Sequence, residues 1–268
     1  MVGSRPDDPL IQIKPAGPEQ ILTWPRTMDA VPEPIANEVK DMLSNQPGGI
    51  RFPREETLPV ATLLALAGGY IDAYTWITHR VFANAQTANM LFLWIHAMAG
   101  EWAQALHFVP SLAAFILGVI MASWLRRLAG ANAGPISLLV EIAFLILVAI
   151  LHNRVPSVAG TLGISFVAAM QAASFPRVES WAYSSVMATA NLRQTTEGLF
   201  IAVAVSHEQH RFRRPGVFAM VLAAFGVGAA TGAYVTVQVP ALTLGIPVTL
   251  LLIALLRCEQ RDPSVVTS

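Results

Sequence analysis

The chain has 268 residues, 54% of them hydrophobic and 13% charged, with a mean hydropathy of +0.53 and no formal net charge. A soluble domain usually carries about 25% charged residues, so the composition points to a membrane protein and gives no electrostatic reason for a nucleic-acid partner. The single cysteine, Cys258, excludes an intramolecular disulfide and a thiolate metal centre.

Residues 1–57 form a polar tail rich in proline, from Pro6 to Pro53, without an apolar run long enough for a signal peptide or a spanning helix. It is expected to be largely disordered. Within it, residues 36–44 could form a short amphipathic turn before Asn45–Gly49 breaks the chain. Arg51, Arg54, Glu55 and Glu56 read as an interfacial anchor, and a partner-binding tail is the alternative.

A first membrane repeat is expected over 58–152 and a second over 158–256, followed by a short polar tail from 257 to 268. The first apolar run, Leu58–Trp76, is long enough to span, and Pro59 suits its first turn. The second, Ala83–Ala99, is interrupted by Asn84, Gln86, Thr87, Asn89 and His96. The third and fourth are Phe108–Leu125 and Pro135–Leu151, the latter with Glu141 inside it.

The same order then repeats. Val158–Phe175 is strong, and Tyr183–Val205 is weak, carrying Thr189, Asn191, Arg193, Gln194 and Glu197. Pro215–Val239 and Ala241–Leu256 are again strong. Two local echoes support the duplication: Thr87-Ala88-Asn89 with Thr189-Ala190-Asn191, and the Ala114–Gly118 stretch with Ala224–Gly228.

Arginine placement argues against eight crossings, which would put the Arg126–Arg127 pair outside. If the two weak segments do not cross, only Arg80 and Arg154 stay outside when both termini are cytoplasmic. The expected fold is therefore an all-α polytopic membrane protein. It is an inverted repeat of two three-crossing halves, each with a weaker re-entrant or interfacial helix. A bacterial inner-membrane location follows from this reading, with lipid as the constant partner.

A carboxylate in lipid normally faces the bundle or a cavity. Asp72 could bind a proton, a cation or a cationic substrate, or could cap and pack near the interface. Glu141 lies deeper, as a proton-linked group or a hydrogen bond between helices. Asn84, Gln86, Thr87, Asn89, Gln171, Thr189 and Asn191 are neutral groups that could line a substrate path or satisfy neighbouring backbone.

Arg193 and Glu197 are spaced to pair along one helix. Gly228–Gly232 has the GxxxG spacing, read as packing within one chain, with a homo-oligomer left open. Trp76, Trp94, Trp102, Trp124 and Trp181 fall near run ends as interface anchors. His207, Glu208, His210, Arg211, Arg213 and Arg214 match no standard zinc spacing and read as a basic loop near anionic lipid. No nucleophile elbow, Walker loop, dinucleotide loop or HExxH sequence is present, so no cofactor or metal is expected.

The stretch Leu58–Leu256 resembles the YoaK-type family of small multi-pass membrane proteins, a domain of unknown function (DUF1275). The resemblance rests on Gly68-Gly69-Tyr70-Ile71-Asp72-Ala73, on Phe82-Ala83-Asn84 followed by Thr87-Ala88-Asn89, and on Met170-Gln171 and Thr189-Ala190 in the second half. Ala88 and Ala190 stand where that family has glycine, which implies a different or weaker ligand if those glycines admit one. The resemblance implies the fold and assigns no activity. The expected function is a small-molecule secondary transporter, with Asp72 or Glu141 carrying a coupling proton and Asn89, Gln171 and Asn191 contacting substrate. The alternatives are a membrane enzyme or helper acting on lipid-soluble compounds, and a structural or assembly subunit.

Overall fold

Each long apolar run folds as a helix, because only a helix satisfies its own backbone where water is absent. The computed structural model describes residues 54–151, 157–179, 181–204 and 212–259, all within one compact unit. After a single turn at Arg54–Glu56 come α1 (Leu58–His79), α2 (Gln86–Met98), α3 (Trp102–Ala129) and α4 (Ala133–Leu151). Then follow α5 (Ser157–Ser174), a two-stranded hairpin of β1 (Arg177–Val178) and β2 (Trp181–Ala182), α6 (Ala188–Ala204), α7 (Arg213–Gln238) and α8 (Gly245–Glu259). The tail before residue 54, the 207–211 part of the basic loop and the C-terminal tail from 260 lie outside the described residues.

The fold is a mostly helical, polytopic membrane type. Among the described residues α1, α3, α4 and α7 are each long and apolar enough to cross a membrane, while the apolar part of α5 is shorter. Large apolar side chains such as Leu91, Trp94, Ile120, Phe200, Val227 and Tyr234 face outward, as lipid contact requires. Of the tryptophans read as interface anchors, Trp94, Trp102 and Trp124 are exposed.

The helix stops are local. Gly100 and Gly130 take positive φ values of 80° and 54°, which end α2 and α3 without the penalty a side chain would bring. Arg80 takes the same left-handed conformation at the end of α1, and its N–H donates to the Trp76 carbonyl at 3.0 Å.

The packing repeats across the two halves. α1 packs on α7 as α3 packs on α5, α1 on α8 as α5 on α4, and α2 on α3 as α6 on α7. α1 and α7 run parallel, with Gly228 against Leu66 and Gly232 against Tyr70. α3 and α5 also run parallel, with Gly118 against Phe166, Ser111 Oγ 2.8 Å from Ser165 Oγ, and the Arg126 guanidinium donating to the Ala173 carbonyl. α3 starts where α1 ends: His107 Nε2 donates to the His79 carbonyl at 2.8 Å.

Several boundaries differ from the sequence expectation: α1 runs on to His79, α2 begins at Gln86, and α3 extends from Trp102 to Ala129 rather than from Phe108 to Leu125. Residues 183–187 are not helical, and α6 begins at Ala188. Residues 241–244 belong to a tight turn opened by Pro240, so α8 begins at Gly245. The β-hairpin between α5 and α6 was not foreseen, because two-residue strands leave no alternating pattern to read.

Candidate functional site

After α1 the chain turns back along it. Ala83 N–H donates to Thr75 Oγ1 at 3.1 Å, Asn84 N–H to Asp72 Oδ1 at 2.7 Å, and Asn84 Nδ2 to the Gly68 carbonyl at 3.4 Å. Residues 82–84 have thus returned from the end of the helix to its middle before α2 starts. α2 then leads back toward the start of α3, where His96 Nδ1 lies 2.5 Å from Glu101 Oε2.

The segment after α5 reaches the same place from the other end of α1. Glu179 N–H donates to the Glu56 carbonyl at 2.7 Å, and the Glu179 carboxylate takes Arg213 Nε and Nη2 at 3.0 and 3.1 Å. From that anchor the chain runs to Ser185 and Val186, and Val186 Cγ1 fills the space a side chain at Gly68 would need. Gly68 is therefore touched by both segments, by Asn84 from one and Val186 from the other.

Each short helix is hung from an asparagine. Asn89 accepts from Phe82 N–H at 2.9 Å and donates to the Phe82 carbonyl at 2.7 Å and to Gln86 Oε1 at 2.9 Å. Asn191 donates to the Ser184 carbonyl at 2.7 Å, seven residues upstream like its counterpart. The sequence echo at Thr87-Ala88-Asn89 and Thr189-Ala190-Asn191 has this bond as its physical content. Thr87 and Thr189 themselves are exposed, and the structure does not bring them to the buried polar groups.

The two halves pack alike but differ in chemistry. Beside Asn89, the Ser111 hydroxyl bonds the Phe82 carbonyl at 3.1 Å and Ser165 at 2.8 Å, and Gln86 Nε2 reaches it at 3.4 Å. In the second half the cluster between α1 and α7 is Ala61, Ala65, Val217, Val221 and Ala224, all apolar. Ser111 and Ser165 were missed in the sequence. Their only signal is a hydroxyl well inside each of two apolar runs, with Ser111 directly after Pro110.

Several buried polar atoms have no hydrogen-bond partner among the described residues. They include Asp72 Oδ2, Asn84 Oδ1, Asn191 Oδ1, both side-chain polar atoms of Gln171 and both carboxylate oxygens of Glu141. Such an atom costs on the order of 1–3 kcal/mol, so each is a position where a proton or ligand dipole would stabilise the structure. Glu141 is fully buried in α4 beside the core residues Leu138, Ile142 and Leu145. The expectation that it bonds another helix therefore has no counterpart in the described contacts. The Arg193–Glu197 pair does form, at 3.6 Å on an exposed face. Among the described residues no group of three metal-ligating side chains exists.

A cavity of about 930 Å³ opens where α1 ends and α3 begins. Ser111 and Thr161 line it, and so do Trp76, Phe92 and Phe108. Those three rings are stacked in succession, with centroids 5.5 and 5.7 Å apart. The cavity thus leads from one end of α1 to Ser111, which bonds the Phe82 carbonyl.

A family model described as a protein of unknown function (DUF1275) matches residues 60–257. No curated protein and no solved structure matches the chain.

Proposed function

We propose, for a chain that belongs to the DUF1275 family of proteins of unknown function, that it is a small-molecule secondary transporter of inverted-repeat design. The observation that carries this reading is the meeting of two chain segments on Gly68 from opposite ends of α1. Irregular backbone at membrane depth is tolerated where it is shielded by protein or lines a cavity, and transporters place their sites at such breaks.

The inverted relation is supported by helix direction. α7 runs parallel to α1, whereas its counterpart α3 starts at the C-terminal end of α1. With the termini in the cytoplasm of a bacterial inner membrane, six helices cross and the cavity opens outward. Substrate would reach the buried amides of Asn84, Gln171 and Asn191 after displacement of one re-entrant segment. Asn89 and Gln86 position that segment through Ser111. Asp72 links substrate to movement, because its one bonded oxygen holds Asn84 N–H. Glu141 is the candidate proton carrier, since it has no partner whose loss would oppose a change of charge.

The test is a thermal-shift screen of the detergent-purified protein against a small-metabolite library, followed by uptake of any hit into proteoliposomes with an imposed pH gradient. Hits should lose their stabilising effect in Asn84→Ala and Asn191→Ala, and gradient-driven uptake should be lost in Glu141→Gln. A stabilising ligand that is never accumulated, with any gradient, would refute transport. Gradient-driven uptake unaffected by Asp72→Asn or Glu141→Gln would refute the assigned coupling groups.

A further inference from the structure

The cavity at the end of α1 has a chemistry of its own. Its basic side chains are His79, Arg80, His96 and His107, Gln104 and the hydroxyls of Thr78, Ser111 and Thr161 add neutral donors, and among the described residues no carboxylate lines it. Glu101, the acid that contacts the lining residue His96, lies 2.5 Å from its Nδ1. Arg80 has no carboxylate partner among the described residues. Its guanidinium carbon instead lies 5.9 Å from the centre of the Trp76 ring. Its backbone occupies the left-handed region at φ 54°, a conformation that a non-glycine residue adopts at a cost.

The opposite character comes from the stacked rings of Trp76, Phe92 and Phe108. A cation and an aromatic wall in one cavity, with no acid lining it, select for a negative charge attached to a flat apolar body. A cationic ligand would find no counter-ion, and a small inorganic anion would leave the ring wall unused.

We propose that this cavity binds aryl carboxylates, with the carboxylate on Arg80 and the ring against Trp76, Phe92 and Phe108. This deepens the transporter reading by naming the class of compound that enters, and it rests on that reading only for the fate of the ligand after binding. A lipid headgroup offers the same charge without the ring, so the ring requirement separates the two sources.

The probe is radiolabelled benzoate, measured by equilibrium binding to the full chain in dodecyl maltoside, with unlabelled competitors. Benzoate should compete with itself, benzamidine should fail at equal concentration, and cyclohexanecarboxylate should compete more weakly. Arg80→Gln should weaken benzoate at least about tenfold, the scale of one charge-assisted hydrogen bond, while Arg80→Lys keeps part of the affinity. Arg80 is exposed, and an unchanged melting temperature checks that the variant is folded. Phe92→Leu should also weaken benzoate, and it tests the same site if Arg80→Gln does not fold.

Competition by benzamidine or cyclohexanecarboxylate equal to that of benzoate would overturn the proposal. So would unchanged benzoate affinity in folded Arg80→Gln, or displacement of benzoate by stoichiometric phosphatidylglycerol, which assigns the cavity to a lipid headgroup. Binding with these preferences but without gradient-driven uptake would uphold the site and refute only the transporter reading.

Discussion

Gly228 offers the sharpest test of how the bundle is held together. It lies in α7 directly against the Leu66 carbonyl of α1, and a methyl group there would collide with that oxygen and the adjoining backbone. Backbone cannot rotate aside as a side-chain tip can, so Gly228→Ala must push the two helices apart. Overpacking of this kind costs about 1–3 kcal/mol. In lipid the loss falls on close van der Waals contact, which is a main source of helix association there.

Gly226, two residues away in the same helix, has nothing within 4 Å of where its methyl would go. Gly226→Ala should therefore gain up to about 1 kcal/mol from helix propensity alone. The expected gap between the two variants is about 1–4 kcal/mol. Unfolding in mixed dodecyl maltoside and SDS micelles, followed by circular dichroism, measures it. If Gly228→Ala is as stable as Gly226→Ala, the close approach of α1 and α7 is not what it is described to be here.

Other outcomes follow from the same structure. Asn89→Ala removes a side chain that bonds both backbone groups of Phe82 and the Gln86 amide, and should cost about 2–3 kcal/mol. Asn191→Ala removes one described bond and should cost at least about 1 kcal/mol less; the same SDS titration compares them, and equal losses would contradict the difference between the halves. Glu141→Leu replaces a buried carboxyl that has no partner with an apolar side chain of similar size, so it should raise the unfolding midpoint while abolishing any gradient-driven uptake. Burial, followed by the neighbouring charge of Glu56, raises the Glu55 carboxyl above its ordinary value of 4.5. The folded state then holds that proton more tightly than the unfolded state, so the Glu55 contribution to stability falls as pH rises upward from about 4.5. Glu55→Gln should flatten that part of the stability profile, measured by unfolding between pH 4 and pH 8, taken as approximate limits.

Much of the architecture was legible because lipid imposes simple rules. Long apolar runs became α1, α3, α4 and α7, and the polar segment before α3 formed only the short helix α2. Asp72 and Asn84 were visible as polar groups in apolar surroundings, but their bond was not, because it joins a side chain to a backbone N–H twelve residues away. Ser111 and Ser165 went unnoticed because a hydroxyl in a membrane helix usually bonds its own preceding turn, as Thr62 does with the Leu58 carbonyl. Thr87 and Thr189 attracted notice through an echo whose working member is the asparagine two residues on. The aromatic cavity was hidden for a different reason. Trp76, Phe92 and Phe108 come from three helices, and each alone reads as ordinary apolar filling.

Gly68 gives the two ends of the molecule a common footing. One segment grips its carbonyl and the other fills the hollow left by its missing side chain. Lifting Asn84 away would free the turn of helix on which Val186 leans, and withdrawing Val186 would remove the support beneath the carbonyl that Asn84 holds. If the two segments enter from opposite faces of the membrane, as the proposed transporter requires, a disturbance at one would meet the other across a single residue. A side chain at position 68 would act as a wedge between the two, silencing that exchange while leaving the outer bundle standing.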